Sequence, residues 1–431
     1  MSNFLFAVFP VSGHVNPGLP IARELVARGN HVRWYSTPRF KRAIEATGAR
    51  WVPFVSAMQV DEERMETMFP DRPRAGIAQL RYDIERVFVA MVRGQMRDLL
   101  SELNREPADV IVGDNTSAVG GFVKSMLGTK WAVYGISALT MPSIDTAPFG
   151  LGLSPSKSFL GRLRNRLLYR LVDQMIFHRA NELHEEMRED FGLEPFGRTL
   201  FDFPRDADLY LQASTPSFEY PRTDMPEHVR FIGASIPQPN PAWRQPSWWG
   251  ELDGSRRVVL LTQGTINNDY NQLIRPAIRA LANENCLVIV TTGSRPVEDV
   301  NIDPLPANVR VEKFIPYAHL MPKVDLLITN GGYGSIQIAL AHGVPVVAIG
   351  KTEEKPEIVN RVQWSGVGVG LKVHTATESQ IRHAVAEVLN DLSYRLKAEV
   401  IAEEMAGLDA ATVGANLLEE LAGTETLARS A

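Results

Sequence analysis

Residues 326–350 read LLITNGGYGSIQIALAHGVPVVAIG, and the rest of the chain is best understood outward from them. Leu326 to Thr329 is a short apolar run. Asn330, Gly331, Gly332, Tyr333, Gly334 and Ser335 end it, a helix opens at Ile336, and a second apolar run covers Val344 to Ile349. Strand, glycine turn, helix and strand in this order form one unit of a parallel sheet with crossover helices.

The same rhythm extends in both directions. Upstream lie Arg257 to Thr262, Leu287 to Thr292 and Val309 to Phe314. The first half of the chain repeats it with Phe4 to Phe9, a helical pattern over Leu19 to Arg28, His31 to Tyr35, Asp109 to Gly113 and Trp131 to Gly135. At 431 residues the chain exceeds the roughly 250 to 300 at which one core stops growing. Pro237, Pro239, Pro241 and Pro246 cannot sit inside a helix or a central strand. The reading is therefore α/β with two parallel-sheet domains: residues 1–235, a proline-rich linker over 236–252, a second domain over 253–409, and a terminal helical segment over 410–431. Open sheets bind ligands at their carboxyl ends, so the active site is expected in the cleft between the two domains.

Composition narrows the function. Lys and Arg number 45 against 50 Asp and Glu, so no overall positive field attracts a nucleic acid. The single cysteine, Cys286, excludes an internal disulfide and a zinc site of several thiolates, which fits the cytoplasm. Phe4 to Phe9 lacks a basic lead-in and stops at Pro10, so it reads as a strand and not a secretion signal. No apolar run reaches the ~18 residues of a membrane span. Ser156 to Phe191 is helical and begins basic, with Arg162, Arg164, Arg166 and Arg170. It is read as a solvated helix face and not a membrane-surface helix, because Glu182, Glu185 and Glu186 dilute the charge.

Chemistry-bearing residues gather at strand ends. His14, in the turn after the first strand, is either structural or a proton acceptor near neutral pH. Asp114, after Val110 to Gly113, is either a helix N-cap or the carboxylate that orients His14. The first turn holds one glycine where a dinucleotide fingerprint needs three, and no Gly-x-Ser-x-Gly elbow occurs. In the second half, Gln263, Gly264 and Thr265 end one strand while the Asn330–Ser335 turn ends another. Such a turn either makes a tight connection or cradles a phosphate with free N–H groups and the helix dipole. Lys351 to Pro356 is either a solvated charged loop or a set of hydrogen-bonding groups for a sugar. Asp206-Ala207-Asp208 resembles a metal-holding pair but precedes an apolar run, so it is read as a strand start, and no metal is predicted.

On these segments the chain resembles the family 1 glycosyltransferases of the two-domain GT-B fold, in the bacterial natural-product branch similar to macrolide glycosyltransferases. The likeness is most specific from Asn330 through Gly368, where the glycine turn, Ala339-Leu340-Ala341-His342-Gly343-Val344-Pro345 and Glu354-Lys355-Pro356-Glu357 occur in the family's order. It implies two Rossmann-like domains facing each other across a cleft, and an inverting transfer of a hexose from a UDP- or dTDP-sugar to a hydroxyl of a small hydrophobic acceptor. His14 would be the general base and Asp114 would orient it. Gly264, Thr265, Asn330, Gly332, Gly334 and Ser335 would hold the diphosphate, Phe314 and Ile315 would lie at the base, and Glu354 and Lys355 at the sugar. The last helix would return to the first domain. The donor is a co-substrate, so no cofactor is expected, and a homodimer is left open.

The chain departs from the family at two positions. Asn330 replaces a phosphate-binding histidine, and Ile338 replaces a ribose-binding glutamate. That leaves UDP and dTDP as alternatives, with Gln337 a candidate to compensate. Apolar residues of the first domain, Met58, Phe69, Phe88, Met141 and Phe149, are the expected acceptor pocket. Two other readings stay open on the sequence alone: a nucleotide-sugar epimerase of the same architecture, and a non-catalytic partner that activates another glycosyltransferase.

Overall fold

The computed structural model describes residues 1–73, 76–236, 242–264, 269–293, 295–352 and 354–423. The heart of the proline run, residues 237–241, and Thr265 lie outside the described residues. The first sheet contains β1 (Asn3–Ala7), β2 (His31–Ser36), β3 (Arg50–Pro53), β4 (Val110–Asp114), β5 (Lys130–Gly135), β6 (Leu209–Gln212) and β7 (Val229–Phe231). The second contains β8 (Arg257–Thr262), β9 (Cys286–Thr291), β10 (Val309–Glu312), β11 (Leu326–Thr329), β12 (Val346–Ile349) and β13 (Gly368–Leu371). Every pairing in both sheets is parallel. Helices cover both faces of such sheets, so strands such as Phe4-Leu5-Phe6-Ala7 and Leu287-Val288-Ile289-Val290 read as continuous apolar runs and are fully buried.

Strand order positions the site. The first sheet runs β3-β2-β1-β4-β5-β6-β7 and the second β10-β9-β8-β11-β12-β13. Successive crossovers reverse direction between β1 and β4 in one sheet and between β8 and β11 in the other. At such a switch point the two connecting loops diverge and leave a crevice at the strands' carboxyl ends. Residues 8–14 and 114–117 border the first crevice, and residues 263–264 and 330–335 border the second.

The domains are joined through these same edges. Ala138, Phe218 and Ala234 of the first domain belong to the second domain's apolar core. The helix Ala410–Gly423 packs on the first domain, with Ala410, Ala415 and Leu418 in the cluster of Phe4, Phe6, Val110 and Ala132. Arg28, which caps the end of the first helix, bonds Glu419 at 2.9 Å and Asn30 bonds it at 2.6 Å. Beyond the proline run, Trp243 stacks on His319 with ring centres 4.9 Å apart, and the Trp248 indole donates to Glu312 at 2.8 Å.

The structure moves two boundaries read from sequence. The first helix spans Ser12–Ala27, so His14 stands in its first turn and not in a loop. Pro17 and Pro20 lie inside it, and the carbonyls they leave without a helical donor belong to Gly13 and Asn16, both exposed to water. Glu62 takes the place of an N-cap side chain, accepting from the Ser12 N–H at 2.9 Å. The stretch 156–191 is a helix over Phe159–Val172, a π-type turn over Asp173–Phe177 and a helix over His178–Asp190. Asp206 closes a 3-10 turn and pairs with Arg198. Asp208 precedes β6, bonding Lys124 at 2.6 Å and the Trp131 N–H at 2.9 Å.

Candidate active site

The switch point of the first sheet brings His14 and Asp114 together, with Nδ1 of the imidazole 3.3 Å from Oδ2 of the carboxylate. Asp114 is the last residue of β4 and is fully buried, whereas the His14 side chain is 13% exposed. The carboxylate does not cap the following helix, whose N-cap is Ala118. Instead Oδ2 accepts from the Phe9 N–H at 2.7 Å, and Oδ1 accepts from the Thr116 N–H at 2.7 Å and the Thr116 hydroxyl at 2.5 Å. Burial alone pushes the Asp114 carboxyl up, but the facing imidazole and these donors outweigh it and hold the group below the usual carboxylate range. The Thr116 hydroxyl also lies 3.2 Å from His14 Nδ1. With Nδ1 turned to two oxygens, Nε2 is the nitrogen free to exchange a proton. The helix backbone is braced as well. The Tyr134 hydroxyl donates to the His14 carbonyl, passing Gly18, where a Cβ would lie 2.8 Å from that hydroxyl.

Aromatic rings wall this site. The Phe9 ring lies 5.3 Å from the imidazole and 4.3 Å from Phe88. Met58 and Phe69 pack into the same apolar cluster, in which Met141 is almost wholly buried. Phe149 lies elsewhere, against the second domain's core.

At the second switch point, Gly264 follows β8 with φ +79°, and Gly331 follows β11 with φ +90°, both conformations that favour glycine. The Asn330 amide donates to the Gln263 carbonyl at 2.5 Å and so ties the two loops across the crevice. Gly332 is the N-cap of the helix Tyr333–Ala341, which has no side-chain cap and no acidic residue in its first turn. A Cβ added at Gly334 would meet nothing within 4 Å, and one at Gly332 would meet only the Ser335 hydroxyl. Asn330 and Lys355 line a polar pocket with Gln263, Gly350, Lys351 and Thr352. Glu354 is the N-cap of the helix Lys355–Ser365. Phe314 stands beyond the end of β10 and is 62% exposed, while Ile315 is buried. Among the described residues, no group of three His, Cys, Asp or Glu side chains could hold a metal ion.

Gln337, the candidate to compensate, is buried and donates to the Ser214 hydroxyl at 3.1 Å, and Ile338 is buried in the second core. Gln337 belongs to a buried seam between the domains that sequence reading missed. Arg361 sits 3.1 Å from Glu219 and 2.7 Å from Glu357, with its guanidinium 3.9 Å from the Tyr220 ring centre. Tyr333, the first residue of the glycine-turn helix, accepts from Gln212 at 2.8 Å and donates to Glu219 at 3.1 Å. Glu357 also receives the Gly152 N–H at 3.0 Å. The only trace of this seam in the sequence is a set of charges scattered over residues 212–361, so no local pattern reveals it.

Comparison with known proteins agrees with this fold. Residues 277–421 match the family described as erythromycin biosynthesis protein CIII-like, C-terminal domain. The chain is 45% identical over 419 residues to the 4'-demethylrebeccamycin synthase of Lentzea aerocolonigenes, covering 97% of this chain and 99% of that one. It is 32% identical to UDP-glycosyltransferase 2 of Phaeomoniella chlamydospora, covering 97% and 95%. The solved structure of CalG4, the calicheamicin glycosyltransferase, shares its fold with a TM-score of 0.75 over 98% of both chains at 20% identity. With two facing parallel-sheet domains and homology along its whole length, the chain belongs to the natural-product glycosyltransferases of GT-B fold, enzymes that act on nucleotide sugars.

Proposed function

We propose that the protein transfers a hexose, with inversion, from a UDP- or dTDP-sugar to a hydroxyl of a small hydrophobic natural product, and that His14 is the general base. The observation that carries this reading is the imidazole at the first switch point, its Nδ1 against the buried Asp114 and its Nε2 available. Nε2 takes the acceptor's hydroxyl proton while Asp114 stabilises the imidazolium that forms. The acceptor oxygen attacks the anomeric carbon from the side opposite the diphosphate. The bond from that carbon to the phosphate oxygen breaks, its electron pair leaves on the diphosphate, and the configuration inverts.

The leaving charge falls to the N-terminus of the helix Tyr333–Ala341, whose dipole and uncapped N–H groups favour an anion. Gly334 supports this assignment. A Cβ there would point into open space, so the helix N-terminus has room for a ligand to approach its N–H groups. The exposed Phe314 is assigned to the base, Glu354 and Lys355, which open the helix beside the pocket, to the sugar, and the wall of Phe9 and Phe88 to an apolar acceptor.

The test is His14→Ala. Transfer should be lost while nucleotide affinity is kept, and turnover comparable to the unaltered enzyme removes His14 from the base role. For the donor, dTDP-glucose should raise the melting temperature more than UDP-glucose, because Ile338 offers the ribose no carboxylate. A larger shift with UDP-glucose assigns ribose recognition to another residue.

A further inference from the structure

The helix Phe159–Val172 buries Gly161, Asn165 and Val172 against the first domain. Its opposite face carries Phe159, Leu160, Leu163, Leu167 and Leu171, continued by Met175 in the next turn, and these six side chains are between 42% and 80% exposed. At 100° per residue the five helical ones occupy about 120° of the surface, turned away from the protein. Arg164, which also donates to Asn165 and to the Ser154 carbonyl, borders the stripe on one side, Arg166 borders it on the other, and Arg170 stands just inside that second edge; all three are exposed. The helix contains no Asp or Glu. Arg166 and Arg170 make no ion pair among the described residues.

The acidic residues that dilute this charge in the linear sequence stand apart from it. Glu182 and Glu186 bind Arg179 on the next helix, and Glu185 is occupied by the N–H groups of Phe196 and Gly197. Ile77 and Leu80, exposed on the helix Gly76–Tyr82 beside the π-type turn, extend the apolar surface. The solvated helix face expected from composition is thus an apolar ridge with basic margins.

We propose that this ridge docks the enzyme on an anionic lipid surface, with the leucines and Phe159 inserted at the headgroup boundary and the arginines on the phosphates. Three features select lipid. The surface is the exposed face of one helix and not a groove that would receive a peptide. Its apolar stripe has cationic margins on both sides, the pattern of helices that lie in a membrane interface. A second copy of the chain would set Arg164, Arg166 and Arg170 against the same arginines, and the one nearby carboxylate, Asp173 at the helix's C-cap, already accepts from the Asn181 amide at 2.7 Å. The inference does not depend on which residue removes the acceptor proton.

The test is co-flotation of the full-length enzyme with vesicles of phosphatidylglycerol and phosphatidylcholine, or of phosphatidylcholine alone. Size-exclusion light scattering without lipid accompanies it. Binding is expected to the anionic vesicles only and to weaken with salt. R166Q/R170Q should reduce partition about 30-fold, and L163Q/L167Q at least about tenfold, both with unchanged melting temperature and unchanged transfer to a soluble acceptor. No binding to anionic vesicles, equal binding to the neutral ones, or binding indifferent to both variants overturns the proposal. A lipid-independent dimer that L163Q/L167Q dissociates also overturns it and gives the ridge to a second copy.

Discussion

Replacing Asp114 by Asn changes one atom and no volume, and its consequences can be worked out from the bonds that this side chain makes. The carboxylate accepts from the Phe9 N–H on one oxygen and from the Thr116 N–H and hydroxyl on the other, with His14 Nδ1 3.3 Å from the first. An amide can satisfy only one of these sides. If its NH2 faces Phe9 and His14, it opposes the Phe9 N–H and turns His14 to the tautomer with the proton on Nε2, which cannot accept another. If it faces Thr116, the part-buried Thr116 N–H loses its acceptor instead. Either orientation costs about 1–3 kcal/mol of stability. In both, the charge that answers the imidazolium is gone. At 3.3 Å that charge contributes about 5 kcal/mol for an effective dielectric of about 20. A fall in kcat of about 10³- to 10⁴-fold is expected, the range known for a histidine that loses its orienting carboxylate. The assay is single-turnover product formation at saturating donor and acceptor, with nucleotide affinity by calorimetry and urea unfolding alongside. A folded D114N enzyme that keeps more than about a tenth of the rate would refute the reasoning, since neither charge nor tautomer would then matter.

Thr116→Val removes the hydroxyl that donates to Asp114 while keeping the shape of the side chain. It should lower kcat about tenfold without changing donor affinity, and Thr116→Ser should restore the rate. Arg361→Met leaves Glu219 and Glu357 buried without their counter-charge, so urea unfolding should show a loss of about 3–5 kcal/mol. His184 gives a pH dependence. Burial among Phe122 and Phe196, and then nearby Arg188, push its imidazole down to about 4, so between about pH 6.5 and 4 the unfolded chain binds a proton that the folded chain refuses. Stability should therefore fall by about 2–3 kcal/mol between pH 7.5 and 4.5, and His184→Leu should remove that share of the slope in urea titrations.

The parallel-sheet architecture is legible because strands buried on both faces become unbroken apolar runs, as Val110 to Val112 and Leu326 to Ile328 show. The helix start at Ser12 is less legible. Two prolines stand where a helix interior would exclude them, and only the exposure of Gly13 and Asn16 makes them tolerable. The apolar ridge over residues 159–171 was obscured for another reason. Averaging charge over Ser156 to Phe191 mixes a helix without carboxylates with a second one whose Glu185 and Glu186 are occupied elsewhere.

From the order of residues alone come the two units, the strand ends that carry His14 and Asp114, and the glycine turn after Thr329, because each depends on neighbours a few positions apart. Whether His14 meets Asp114 depends on the pairing of β1 with β4, which joins segments more than a hundred residues apart. The fixing of the glycine-turn helix to Gln212 and Glu219, the diversion of Gln337 to Ser214 and the outward turn of Leu163 and Leu167 are likewise tertiary outcomes. In each case a side chain's role is set by which surface packing leaves open, and packing is a property of the whole chain and not of its local pattern.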